Sequence, residues 1–313
     1  MKANVIETYG APDVIVYTDV NVPQICDDEV LIKVAATSFN PADAAIRSGA
    51  FQTMFPLKFP YTLGLDVSGV IEKIGSSINQ FKIGDRVFGC LDFITNGAAA
   101  EYVACKASLV TNAPKTIPLV EAAALPGVGY TAWQALFTHA NLQQGQRLLI
   151  TAAAGGVGTI AVQLAKWKGA YVIGTASERS FTILNSLNID EIIDYNSKDF
   201  LEGQIEPVDA ILNLSPAKTI EINKMLNLLK PNGILVSTAN PADNSIAESL
   251  GVRTLRIAMT RTVEQLTAIS KLVDEKIIHP VITNRYQLKD LVDAHKKSGQ
   301  TNGKTIIVVD ETL

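Results

Sequence analysis

A chain of 313 residues, 47% of them hydrophobic, has enough apolar material for a large core, and two domains are expected. Its 27 basic against 31 acidic residues leave a formal net charge of −4, which offers no electrostatic footprint for nucleic acid or for an anionic membrane surface. No apolar run approaches the roughly 20 residues that span a bilayer, the opening MKANVIETYG reads as an amphipathic strand, and Cys26, Cys90 and Cys105 are too few and scattered for a disulfide framework. A soluble cytoplasmic protein is the expectation.

The first third reads as strands separated by turns. Val30–Phe39 (VLIKVAATSF) has the β-branched, apolar character of a core strand. It stops at NPADAAIRSG, where Asn40 and Pro41 fit an N-cap and a first-turn proline, and Gly49 closes the helix. On that helix Asp43 and Arg47 stand four apart, the spacing of an ordinary ion pair. Leu65–Gly75 and Gly84–Leu91 follow as short, glycine-bounded strands, and the whole suggests a compact β-barrel-like unit. Between them and the helix, Phe51, Phe55 and Phe59 form either an apolar mouth for a planar ligand or a loop packed on the barrel.

From about Val120 strands alternate with amphipathic helices. RLLIT leads to TIAVQLAKWKG, YVIGTAS to RSFTILNSLN, and EIIDY follows. VDAILNLS then leads to KTIEINKMLNLLK and GILVSTA. This is the pattern of βαβ units and a parallel, doubly wound sheet, an α/β fold. After Thr260 come the helix VEQLTAISKLVDEK, the segment PVITNRYQL, a helix through Ala294 and a last strand, KTIIVVD. That tail is placed to rejoin the first unit.

Between RLLIT and its helix lies Ala153-x-Gly155-x-x-Gly158, the dinucleotide-binding fingerprint with alanine in its first position. Gly155 lets a pyrophosphate approach the backbone, Gly158 lets the helix pack on the strand, and the helix N-terminus favours an anion. A purely structural turn gives the same triplet. Here the strand before, the helix after and a second strand some 20 residues on supply the context that favours a nucleotide. Folds that bind NAD place Asp or Glu at the end of that second strand. This chain has GTASER instead, so Ser177 can donate a hydrogen bond and Arg179 can pair with a 2′-phosphate, the other reading being a surface loop in which Arg179 only neutralises Glu178; NADPH is expected over NADH.

Gly145–Lys166 (GQRLLITAAAGGVGTIAVQLAK) resembles the signature of the quinone oxidoreductase (zeta-crystallin-like) group of the medium-chain dehydrogenase/reductase family. SFNPADAAIRSG, GLDVSGVIEKIG, FKIGDRVFG, EAAALPGVGYTAWQAL and IIDY extend the resemblance in the family's order. It implies a GroES-like β-barrel domain of residues 1–121 and 267–313, completed by the C-terminal tail. A Rossmann domain of residues 122–266 lies between, with the active site in the cleft between domains. It also implies that Asn40 and Thr131 lie near the nicotinamide, and that Gly155, Gly156, Val157 and Gly158 cradle the pyrophosphate. Ser177, Arg179 and Tyr195 would surround the adenine ribose phosphate, with Ser215, Thr238 and Ala239 alongside the cofactor. A homodimer, formed through a Rossmann-sheet edge strand such as TLRIAM, is implied in the same way.

Zinc enzymes of that superfamily carry a Cys and a His-Glu pair where this chain has NPAD and GLD, and His139, His279 and His295 each lie apart from any cysteine pair. No metal is therefore expected. Lacking zinc ligands, the chain fits acceptors that are electrophilic already, quinones or enones, better than alcohols. Asn40 is the favoured polar contact for the acceptor, although an N-cap explains it equally well. Tyr61 is either a hydroxyl donor or a packing tyrosine. The competing readings are an NADH-dependent reductase of the same fold and an NADPH-binding sensor or structural protein with little turnover.

Overall fold

The computed structural model describes residues 1–196, 201, 205–297, 299 and 302–313. They form two compact units: residues 1–127, 261–276 and 280–313, and residues 128–260 with 277–279. The boundaries fall a few residues from 121/122 and 266/267, and the helix Val263–Asp274, split by the expected boundary, lies whole in the first unit.

The first unit opens with β1 (Lys2–Ile6), β2 (Ile15–Asp19) and β3 (Glu29–Ser38). The helix Pro41–Ser48 follows, closed by Gly49 in the left-handed region at φ 82°. Then come β4 (Tyr61–Thr62), β5 (Asp66–Ile74), β6 (Arg86–Cys90), β7 (Tyr102–Lys106) and β8 (Val110–Asn112). The second unit holds β9 (Arg147–Ile150), the helix Gly156–Trp167, β10 (Tyr171–Ala176), β11 (Glu191–Asp194), β12 (Val208–Asn213), β13 (Leu229–Ser237) and β14 (Arg253–Arg256). The chain then returns to the first unit for β15 (Ile282–Gln287) and β16 (Lys304–Val308).

The tail's return is fixed by pairing. β16 runs antiparallel to β3 on one side and parallel to β15 on the other, in a sheet of order β15-β16-β3-β5-β6-β8, with β7 also paired to β3. Val30, Ile32, Val34, Val67, Ile71 and Val87 fill the core beneath it. The β-branched residues of β3, read as a core strand, are there because both its edges and its inner face are covered.

The second unit is a parallel sheet of order β11-β10-β9-β12-β13-β14, with β14 at one edge. Starting at β9, this order puts the crossover reversal between β9 and β12, the place where doubly wound sheets bind ligands. One element differs from expectation. The helix read as KTIEINKMLNLLK ends at Met225, a 3-10 turn continues through Leu226–Leu228, and β13 takes over at Leu229. Pro231 explains this, since the residue before a proline is driven to extended backbone and cannot continue a helix. Among the described residues no helix is long and apolar enough to cross a membrane.

Candidate functional site: a glycine turn and a buried charge cluster

In the second unit the turn after β9 delivers the chain into the helix Gly156–Trp167, with Gly155 as N-cap. The two glycines of the turn are there for different physical reasons. A side chain at Gly158 would place its Cβ 2.4 Å from the Ala153 carbonyl oxygen, so only glycine lets the helix sit this close to the strand end. A Cβ at Gly155 would meet only the Ala152 carbonyl oxygen, tightly at 3.3 Å, and no other neighbour within 4 Å. The first N–H groups of any helix have no acceptor within it, and those of Gly156, Val157 and Gly158 open this one. Open backbone, orphan donors and a helix dipole suit a pyrophosphate.

Neighbouring strand ends bring the other expected residues to the same rim of the sheet. Ser177 follows β10, and Tyr195 follows β11, which pairs with β10 through Ala176 and Asp194. Arg179 sits in the short turn Glu178–Ser180, exposed and with no ion pair among the described residues. It does not neutralise Glu178. Ser215 follows β12, and Thr238 and Ala239 follow β13. Thr131 lies on the helix Pro126–Trp133, half-buried.

A polar network that the sequence did not announce ties these ends together. Thr151 and Ser215 donate their hydroxyls to Asn213 Oδ1 at 2.7 and 2.9 Å, and Asn213 Nδ2 donates to Ser237 Oγ at 3.1 Å. The backbone N–H groups of Leu214 and Ser215 donate to Thr151 Oγ1. Thr151, Asn213 and Ser237 are all buried, so the rim is braced from beneath. The only sequence signal was a polar residue ending each of three apolar strands.

The first unit holds a cluster around Asp66. Pairing of β3 with β5 sets Ala36 against Ser68, which carries Ser38 to Asp66. Pairing of β16 with β3 sets Ile306 against Ser38, and Phe39 N–H donates to the Thr305 carbonyl, which carries Lys304 to Asn40. Asp66 Oδ2 accepts from Ser38 Oγ at 2.6 Å and from Asn40 Nδ2 at 2.8 Å, and Oδ1 accepts from Gly127 N–H at 2.8 Å. Lys304 Nζ, itself buried, donates to the Phe39 carbonyl at 2.9 Å and to Asn40 Oδ1 at 2.8 Å, and lies 3.6 Å from Asp66 Oδ2. Burial lowers the Lys304 ammonium, against the pull of Asp66 and Asp43.

Asn40 thus begins the helix, but its amide is engaged by Asp66 and Lys304. Asp43 secures the helix start, accepting the Asn40 N–H at 2.8 Å through Oδ2 and the Leu65 N–H at 3.1 Å through Oδ1. The Asp43–Arg47 ion pair expected from spacing is not formed. Arg47 turns to the Gly10 carbonyl at 3.1 Å and to His295 Nδ1 at 3.1 Å, because Asp43 is drawn inward by two backbone donors. Burial pushes the Asp43 carboxyl up to about 7, against those two N–H groups. Tyr61 is buried and donates its hydroxyl to the Phe93 carbonyl at 3.0 Å, and burial raises its phenol. That arrangement favours the packing role left open by the sequence. Phe51 and Phe55 gather around Phe93, with ring centroids 6.4 and 4.7 Å away, while Phe59 meets Tyr9.

Among the described residues no group of three or more His, Cys, Asp or Glu side chains is placed to hold a metal ion. The chemistry around Asp66 does not suit one either, since its oxygens already accept from a hydroxyl, an amide and a backbone N–H and face an ammonium.

Residues 26–115 match the alcohol dehydrogenase GroES-like domain, and residues 187–307 match the family described as zinc-binding dehydrogenase. A quinone-oxidoreductase homolog of spinach chloroplasts, Spinacia oleracea, is 40% identical over 195 residues, spanning 61% of this chain and 59% of the relative. The chloroplast envelope quinone oxidoreductase homolog of Arabidopsis thaliana is 32% identical over 312 residues, 93% of each chain. Among solved structures, the quinone oxidoreductase from Coxiella burnetii is 33% identical with a TM-score of 0.90, covering 99% of both chains. Escherichia coli quinone oxidoreductase complexed with NADPH is 25% identical with a TM-score of 0.89, covering 99% of this chain and 100% of that one.

Proposed function

The chain belongs to the quinone oxidoreductase family of medium-chain dehydrogenases/reductases, and from that membership we propose that it is a zinc-independent reductase that uses NADPH to reduce quinones or enones. It is an NAD(P)H oxidoreductase by family; the choice of NADPH rests on the end of β10. There Ser177 and the exposed guanidinium of Arg179, without an ion pair among the described residues, stand where an NAD-binding fold carries a carboxylate. A carboxylate at that point repels a 2′-phosphate, whereas a hydroxyl and a guanidinium recognise one. The complex of the Escherichia coli relative with NADPH supports the reading.

In this reading the N–H groups of Gly156, Val157 and Gly158 hold the pyrophosphate. Ser177 and Arg179, beside Tyr195, hold the ribose phosphate. Ser215, Thr238, Ala239 and Thr131 border the rest of the cofactor. Bound NADPH supplies the hydride. The half-buried Asn40 donates Nδ2–H to the acceptor's carbonyl oxygen, drawing charge from the carbon or ring that receives the hydride. Lys304 provides positive charge beside Asp66 without a metal. Tyr61 being committed to Phe93, water returns the proton to the reduced acceptor. The three cysteines, all free, fit a reducing compartment such as the cytoplasm.

Replacing Arg179 by Ala tests the cofactor choice. The expected result is NADPH affinity weakened about tenfold with NADH affinity unchanged, the loss of one charge-assisted contact. Equal weakening of both, or tighter NADH than NADPH binding by the unaltered protein, would overturn it.

A further inference from the structure

The Asn40 amide is oriented by chemistry as well as by packing. Lys304 only donates, so the oxygen of the amide must face it, at 2.8 Å. Asp66 Oδ2 accepts, so the nitrogen must face the carboxylate, at 2.8 Å. A flipped amide would set NH2 against an ammonium and oxygen against a carboxylate. Each contact is anchored in turn, Lys304 by the Phe39 carbonyl and Asp66 by Ser38 and the Gly127 N–H. One Nδ2 hydrogen is used on Asp66. The other has no acceptor among the described residues, and Asn40 is half-buried where Asp66 and Lys304 are buried.

We propose that Lys304 is the positioning residue of the acceptor site: by holding Asn40 Oδ1 it fixes the one remaining amide hydrogen as a donor for the carbonyl oxygen of a quinone or enone. This rests on the reductase reading. Its structural premise is independent of that reading. The tail strand β16 is then part of the site as well as of the sheet, because the Ile306–Ser38 register is what brings Lys304 to Asn40. A buried lysine serving only to balance Asp66 would need no contact with the amide oxygen. Its place on Oδ1, and the separation of 3.6 Å from Asp66 Oδ2, assign it to the amide first.

Two variants decide the matter. Lys304→Met removes the anchor but leaves the buried Asp66 charge without its cation, a change that can unfold the unit. Lys304→Met combined with Asp66→Asn removes both charges together and keeps one amide oxygen, which can accept from Asn40 Nδ2 at the cost of the Gly127 N–H contact. For this double variant we expect a folded protein with NADPH affinity within about twofold of the original, because the glycine turn is untouched. With a simple benzoquinone, kcat falls at least about tenfold while KM changes little, the signature of a donor no longer aimed. The Asn40 side-chain NH2 protons, followed by ¹⁵N NMR without any acceptor, lose their distinct shifts and exchange with water faster. Unaltered Asn40 side-chain signals in the double variant would overturn the assignment, and so would unchanged kcat. If the unaltered protein reduces no acceptor, the reductase reading fails, and the NMR comparison still decides whether Lys304 holds the amide.

Discussion

Asp43 and His295 are both buried and act on stability in opposite senses. Burial, with Arg47 adjoining, lowers the His295 imidazole to about 3, so it stays neutral and accepts from Arg47. In the unfolded chain an ordinary histidine takes up a proton near pH 6.5. Between those values the unfolded state binds more protons, so this contribution is present above pH 6.5 and is lost as pH falls toward 3, by at most about 1.4 kcal/mol per pH unit. Asp43 works the other way. Its folded pKa of about 7 lies above the unfolded 3.8, so its contribution is present below pH 3.8 and is lost as pH rises through 7. The two partly cancel in mild acid. Replacing His295 by Asn removes one side of the balance, and the fall in urea midpoint from pH 7.5 to pH 5 is expected to shrink or reverse. An unchanged fall would show that His295 is not the titrating group. Neither residue was legible beforehand: spacing gave Asp43 an Arg47 partner, and nothing local revealed that two backbone N–H groups would claim the carboxylate first.

At the scale of elements, the turn between β9 and its helix separates packing from binding. Gly158→Ala puts a methyl against backbone at 2.4 Å, and neither element can move without the other, so a loss of about 1–3 kcal/mol in stability is expected. Gly155→Ala meets one carbonyl at 3.3 Å, which must give by a few tenths of an ångström, so it should cost less stability than Gly158→Ala while weakening NADPH binding at least about tenfold, because the methyl stands where a pyrophosphate approaches. Calorimetry and a fluorescence titration on both variants check this; the reverse pattern would show that the roles were exchanged. Most elements could be read from the sequence because each carries its own period, from the β-branched run of β3 to the alternation after Val120. The exceptions are instructive. The helix before β13 was drawn too long because its apolar pattern runs smoothly into the strand, and only Pro231 marks the change. Lys304 is, in the sequence, only the first residue of a last strand. Its burial depends on a partner strand that lies more than 260 residues away in sequence, where no local pattern reports it.

For the whole molecule, the order of motifs pointed to the tail's return, and β16 does pair with β3 and β15 of the first unit. The rim of the parallel sheet was legible for the same reason: strand ends are where loops carry function in this architecture. The buried supports beneath it, Thr151, Asn213 and Ser237, and the Asp66 cluster were not, because each is assembled from residues that are individually unremarkable. Metal-free hydride transfer from NADPH is the proposed function that these residues share. The measurement that tests it most directly is cofactor oxidation by chelator-treated protein, with NADPH and NADH each offered a simple quinone and a simple enone. The account predicts NADPH consumption that survives chelation and exceeds that of NADH with at least one acceptor. Tight NADPH binding without consumption, or activity that disappears with the chelator and returns with zinc, would contradict it.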